Sequence, residues 1–300
     1  MNQRHWALAA ATAASTIYGV NHTLAKDLMP TYIGAYGFIF LRVTGAAVLF
    51  WLVSLFLPSE RVAPKDYLRI IACAFFGMCI NMLAFFKGLS LSTPINSSVV
   101  ITLTPVILLL LAVLFLKERV GWIKISGIGL GLIGALVLIL FGARVQENAP
   151  NIPFGNMLFI VNATAYAIYL ILVKPLTAQY SSITLMKWFF LIALPMNLPI
   201  TWNEFSAVAW TALPMRAVLI MLFVVVGTTF LTYLFNVYAL KQLKASTIGA
   251  FIYLQPVIAV LFAILVGADR LTPIRILAAI LIFIGVYLST RTKKSAVESN

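Results

Sequence analysis

Apolar residues come in unbroken stretches of about 20, separated by short polar interruptions. That is the length a helix needs to cross the hydrocarbon core of a bilayer. Ten such runs can be counted: Trp6–Ala25, Ala35–Leu57, Tyr67–Leu89, Ile95–Leu116, Trp122–Phe141, Phe154–Val173, Ile183–Trp202, Met215–Leu240, Ser246–Ala268 and Pro273–Ser289. Barrel strands would alternate polar and apolar residues over about 10 positions, and these runs are continuous instead. Hydrocarbon cannot hydrogen-bond a free backbone group, so spanning segments are helices or closed barrels. The pattern predicts an all-α integral membrane protein with ten transmembrane helices. Pro58 and Pro64 punctuate the gap between runs two and three, and Pro150 and Pro153 the gap between five and six.

The chain also repeats itself. Pro105-Val106-Ile107 recurs as Pro256-Val257-Ile258, an offset of 151 residues. The same offset carries Glu118-Arg119 onto Asp269-Arg270, Lys124 onto Arg275 and Gly134 onto Gly285. Leucine matches in an apolar chain mean little; a Pro, an acid-Arg pair and a Gly on one ungapped offset mean more. Ten helices then divide into five and five. An odd number makes the second unit enter the membrane from the opposite side, so two inverted five-helix repeats are expected. Their limits are 1–144 and 154–291, followed by a short polar tail, 292–300, expected in the cytoplasm.

Composition agrees. Of 300 residues 62% are hydrophobic and 10% charged, against about 25% charged in a soluble domain. The net charge of +13 does not point to nucleic acid, because the basic residues are scattered singly between apolar runs. They act instead as topology signals. With the N-terminus inside, fourteen Lys and Arg fall on the cytoplasmic side and six outside, with Arg42 within a span. The loop with Arg270 and Arg275 goes against the rule. No clear cleavage site follows the first run, so no removable signal peptide is expected. Cys73 and Cys79 lie six residues apart on one predicted helix, about 600° of turn, and point to different faces; no disulfide is expected.

All eight acids lie in loops or at run ends. No carboxylate pair for acid-base catalysis stands in a span. The two histidines, His5 and His22, have no metal-ligand set around them. No catalytic residue, cofactor or metal is expected, and a membrane enzyme or a scaffold subunit without transport remains the alternative. What the spans do carry is neutral polar and aromatic side chains: Tyr18, Asn21 and His22 in run one, Asn81 and Phe85 in run three, Asn96, Ser97 and Thr102 in run four, Asn162, Tyr166 and Tyr169 in run six, Tyr233 and Asn236 in run eight, Tyr253 and Gln255 in run nine. Such groups are costly in lipid and face the protein interior. They bind helices together or line a cavity that hydrogen-bonds a small metabolite. Tyr18, Asn21, Asn81, Phe85, Tyr166, Asn236 and Tyr253 are the expected substrate contacts.

Four residues are candidates for gating or coupling. His22 can titrate near neutral pH. It lies 16 residues beyond Trp6, roughly 24 Å of helix rise, which places it at the far membrane interface. Arg42 lies about 10 Å deep in its span by helix rise. A buried Arg needs a partner: a helix-end carbonyl or loop acid in a structural role, or an anionic substrate group. Pro105 and Pro256 remove a backbone donor at equivalent positions and are expected to kink helices four and nine. The row Gly127, Gly129, Gly131, Gly134 is a close-packing face rather than a nucleotide fingerprint. It could pack within the chain or against a second copy, so a homodimer stays open.

Several segments carry a resemblance. Tyr18-Gly19-Val20-Asn21-His22-Thr23-Leu24-Ala25-Lys26 resembles the first-helix W-G-x-N-x-x-x-x-K pattern of EamA-type members of the drug/metabolite transporter superfamily, with Tyr18 in place of the usual Trp. Phe40-Leu41-Arg42 resembles the second-helix Arg motif. Gly88-Leu89, Pro105, Lys117-Glu118-Arg119 and Gly127 to Gly134 resemble the core of one EamA unit. Ala239-Leu240, Pro256, Gly267-Ala268-Asp269-Arg270-Leu271 and Gly285 resemble the second, with Asp269 where Glu is usual. The resemblance implies a two-repeat bundle in a bacterial inner membrane. It further implies alternating access around a central cavity lined by helices one, three, four, six, eight and nine, and export or exchange of small metabolites such as amino acids.

Overall fold

The computed structural model describes residues 3–115, 121–141, 146, 148–242 and 245–290. Among them every regular element is helical; the one extended pairing is an isolated bridge between Gln146 and Ala149. We label the rods α1 (Gln3–Leu28), α2 (Ala35–Ser54), α3 (Pro64–Leu91), α4 (Pro94–Ile101 and Thr104–Phe115), α5 (Trp122–Phe141), α6 (Ile152–Thr177), α7 (Ser182–Ser206), α8 (Met215–Leu222, Phe223–Leu231 and Thr232–Gln242), α9 (Ala245–Leu265) and α10 (Pro273–Thr290). Seven stretches among the described residues are long and apolar enough to cross a membrane, drawn from α2 to α8. Two shorter apolar helices, Leu254–Leu265 and Pro273–Leu288, lie within α9 and α10.

Local chemistry sets the helix starts. Thr93, Asn151 and Ser181 accept backbone N–H bonds at the first turns of α4, α6 and α7, and prolines occupy the opening turns of α4 and α6. Helix α2 is capped from a distance. Glu204, in the last turn of α7, accepts from Tyr36 N at 2.6 Å and Gly37 N at 3.1 Å. The carboxylate complements the positive end of the helix dipole. A β-carbon at Gly34 would stand 2.1 Å from its Oε2 atom, so glycine there lets the acid in.

Two features differ from continuous runs. Helix α4 is interrupted at Thr102–Leu103, just before Pro105. Pro105 opens the second piece, where its missing N–H costs nothing, and the Thr104 hydroxyl donates to the Ile101 carbonyl. Helix α9 instead runs through Pro256 without a break, so the two equivalent prolines do different things. Secondly, α3 and α8 each contain a π-helical stretch, Ala74–Ile80 and Phe223–Leu231. The 151-residue offset maps Ala74 onto Val225, inside the second stretch. Wide turns of this kind concentrate at functional sites.

The main packing pairs are α5 with α10, α2 with α7, α1 with α8 and α9, α6 with α3 and α4, and α4 with α9. Exchanging each helix for the one five places along maps these pairs onto one another, whereas the α2–α3 and α4–α10 contacts have no such counterpart among the described residues. At the α5–α10 seam a β-carbon on Gly285 would stand 2.5 Å from Gly131 N, and one on Gly134 would stand 3.0 Å from Ala278 O. The glycine row is thus used inside the chain. Outward-facing Leu136, Leu140, Ile276, Ile280 and Ile284 are exposed, as side chains facing lipid should be. Buried Phe38, Phe50, Phe86, Phe159, Phe189 and Phe190 fill the interior.

Candidate functional site

The bundle has two ends. Helix α1 starts at the near end, with Gln3, and finishes at the far end, with Leu28. The far end is sealed by a charged network. Asp269 and Arg275 form an ion pair at 2.6 Å, and both are buried. Arg275 also donates to Thr93 Oγ1 at 3.2 Å and to the Arg270 carbonyl. The second carboxylate oxygen of Asp269 accepts from Ile95 N in the first turn of α4. Beside it Lys26 donates to the Leu89 and Ser90 carbonyls at 2.7 and 2.8 Å, where α3 ends. Arg275 is thus neutralised within the protein.

At the near end the described residues are tied at its edge. Tyr180 donates to Asp66 at 2.7 Å, and Glu60 accepts from Ser181 N at 2.9 Å. The Thr184 hydroxyl beside Glu60 holds its carboxyl below the usual carboxylate range. The first turns of α1 are largely exposed, whereas Gly19 to Met29 is mostly buried.

Between the ends lies a polar interior. Helix α8 presents Thr228, Thr229 and Thr232 there, all fully buried. Thr228 donates to Asn21 Oδ1 at 3.1 Å. Thr232 stands within hydrogen-bonding reach of the Tyr18 hydroxyl. Thr229 donates to the Val224 carbonyl five residues back, at 3.0 Å, and accepts from Arg42 Nε at 2.7 Å. Only the π-helical turn leaves that carbonyl so placed. The Arg42 guanidinium lies 5.5 Å from the Phe86 ring centre. Opposite, Asn81 and Asn162 exchange amide-to-carbonyl bonds of 3.2 and 2.8 Å between α3 and α6.

Tyr166 retains 39% exposure. It stacks on Tyr169 at 5.7 Å and stands in electrostatic reach of Tyr18 and Tyr233 across the bundle. Tyr166 on α6 thus stands across from Tyr18 on α1 and Tyr233 on α8. A cleft of about 480 Å³ at the far rim, lined by Pro30 to Gly34 and Glu204, lies away from this chemistry, and Glu204 is already spent on capping.

The expected residues sort accordingly. Tyr18, Asn21 and Tyr166 lie on this interior, together with Arg42, whereas Phe85 is buried against His22, Phe86 and Phe159. His22 is a correction. It is 7% exposed rather than interfacial, because α1 tucks its last two turns against α4. Its Nδ1 lies 2.7 Å from Ser97 Oγ, and its ring meets Phe85 edge-on at 5.5 Å. Asn81 donates its amide to the Asn162 carbonyl of α6. Asn236 is half-buried on α8. The side chain of Tyr253 lies outside the described residues, as does Glu118. Sequence reasoning missed Thr228, Thr229 and Thr232, although the last stands four residues from the first, the spacing of one helical face. It also missed Asn156, which accepts from Ser92 and Asn96 at 2.7 and 3.2 Å. Among the described residues no cluster of His, Cys, Asp and Glu could hold a metal ion.

A helical chain with a polar interior, repeated packing and a sealed end matches the EamA-like transporter family model at residues 5–140 and again at 153–291. The chain belongs to the EamA-like transporter family. It is a multi-pass membrane protein, as its seven long apolar helices require. An "Uncharacterized transporter" of Archaeoglobus fulgidus is 25% identical over 97% of this chain and 100% of that protein. A "Probable terminal-alkyne amino-acid exporter" of Streptantibioticus cattleyicolor is 24% identical over 86% of this chain and 84% of its own length. A solved crystal structure shares the fold with a TM-score of 0.63 at 18% identity, covering 96% of this chain and 98% of that one.

Proposed function

We propose that this EamA-like chain is a secondary transporter that moves a small polar or amphipathic metabolite, an amino acid or a related compound, by alternating access. Its ten helices cross a bacterial inner membrane as two inverted five-helix repeats, 1–144 and 154–291, with both termini and the tail 292–300 in the cytoplasm. The metabolite is exported or exchanged, and the near end, where both termini lie, is the cytoplasmic one. The observation that carries the reading is the contrast between a polar interior bearing a partly exposed Tyr166 and a far end sealed by buried charges. That is the form of a carrier open to one side. The exchange of packing partners between halves supports the inverted repeat, because rocking one repeat against the other swaps the open side. The amino-acid class follows the exporter among the relatives.

Efflux from proteoliposomes preloaded with labelled amino acids and other metabolites, with and without a pH gradient, tests this. Selective loss of one compound is expected. Loss of none, from inserted and folded protein, overturns the transport reading in favour of a scaffold.

A further inference from the structure

Three basic residues are buried inside the described bundle: Lys26, Arg42 and Arg275. Two of them are fully engaged. Lys26 holds two carbonyls, and Arg275 holds Asp269, Thr93 and a further carbonyl. Arg42 is different. Among the described residues its only hydrogen bond is from Nε to the Thr229 hydroxyl, and no carboxylate stands within ion-pair distance. Among the described residues no acid could approach it from within a span, since Asp27, Glu60, Asp66, Glu204 and Asp269 all lie in loops or at helix ends. The outer guanidinium nitrogens thus carry donors that the described protein does not use.

A buried cation without an anion is costly and is kept where it meets an ionic partner. The surroundings of Arg42 suit such a partner. The hydroxyls of Tyr18 and Tyr233 lie in electrostatic reach of the guanidinium, and both tyrosines are in reach of Tyr166, which keeps 39% of its surface exposed. Phe86 covers one side of the guanidinium, which holds the plane and steers its edge. A planar fork flanked by phenol donors fits a carboxylate, which accepts two parallel bonds from Arg. A phosphate dianion would call for a second positive charge, and the engaged Lys26 and Arg275 do not supply it.

Resting on the transporter reading above, we propose that Arg42 is the substrate's carboxylate anchor, so that the cargo carries one carboxylate and docks it between Arg42, Tyr18 and Tyr233.

The test uses the full chain, Arg42→Gln and Arg42→Lys. Purified protein is melted with L-leucine, L-glutamate, pyruvate, glucose 6-phosphate and ribitol, and the same compounds are loaded into proteoliposomes for efflux. One or more of the monocarboxylates should raise the wild-type melting temperature and leave the vesicles. Arg42→Gln should abolish that shift and slow efflux at least 100-fold while melting, without ligand, no lower than wild type. Arg42→Lys should keep the carboxylate preference with weaker binding. If Arg42→Gln does not fold, the Arg42→Lys preference and the wild-type compound profile decide the matter. Carboxylates that stabilise wild type but not Arg42→Gln, with no efflux, would sink transport and leave the anchor standing. Efflux of ribitol or glucose 6-phosphate alone, or carboxylate efflux unchanged in Arg42→Gln, would sink the anchor and leave transport standing. No shift and no efflux with any compound would overturn both.

Discussion

The sealed far end and the polar interior both bury charge, and they treat it in opposite ways. At the far end Asp269, Arg275 and Lys26 satisfy one another and the surrounding backbone, linking α1, α3, α4 and the α9–α10 turn. In the interior Arg42 has a single hydroxyl, and Tyr166 keeps an open face. Saturated charge in a dry site makes a clasp; unsaturated charge beside accessible surface makes a receptor for something absent. Both lie in one bundle, so neither is explained by the general cost of polar groups in lipid.

Breaking the clasp should have the largest effect on stability. Asp269→Ala leaves Arg275 buried without its anion, which costs about 3–5 kcal/mol when one partner of a buried pair is removed. A lowered melting temperature in detergent is expected, with partial recovery in Asp269→Ala/Arg275→Met. A wild-type melting temperature for the single variant would contradict the clasp.

Breaking glue should do less. Asn162→Ala removes the bond from the Asn162 amide to the Asn81 carbonyl and leaves Asn81 donating to the main-chain carbonyl of residue 162; interhelical hydrogen bonds in membranes are worth about 0.6–2 kcal/mol. The fall in melting temperature should be smaller than for Asp269→Ala, and the compound carried should stay the same. A changed compound profile would move Asn162 and Asn81 from glue to substrate contact.

The smallest effect belongs to the near-end edge. Glu60 has a carboxyl held below its ordinary value of 4.5 by Thr184 and by Ser181. A group whose folded pKa is depressed stabilises above its unfolded value and loses that contribution as pH falls through the folded one. The melting temperature of wild type should therefore drop slightly more than that of Glu60→Gln as pH is lowered below 4.5. Equal drops would show that the contact contributes nothing.

Much of the fold was legible because lipid imposes length. The predicted run Trp122–Phe141 coincides with α5, and most other limits move by only a few residues. The interruption of α4 was half legible: Pro105 signalled it, yet the identical signal at Pro256 produces no break, because the surroundings of each proline decide how the freed carbonyl is satisfied. The π-helical stretches were invisible, since one extra residue in a turn leaves an apolar run looking the same. In the interior, Tyr18, Asn21 and Arg42 stood out as polar residues in spans. Thr228, Thr229 and Thr232 did not, because a threonine that back-bonds to its own helix is common in membranes, and only the wide turn frees Thr229 to meet Arg42. His22 was misplaced because counting along one helix ignores what packs beside it. The Asp269–Arg275 pair was missed because it closes across a turn rather than along a helix face.

The most direct measurement is side-specific labelling of one position in each of the two regions. In a Cys73→Ser/Cys79→Ser background, Tyr166→Cys and Thr93→Cys are exposed to a membrane-impermeant maleimide from one side of oriented vesicles at a time. The account predicts that Tyr166→Cys reacts from the side of the termini and not from the other, while Thr93→Cys, behind the clasp, reacts from neither. Reaction of Thr93→Cys from the far side, or of Tyr166→Cys from the far side alone, would contradict a carrier sealed at that end and open at the other.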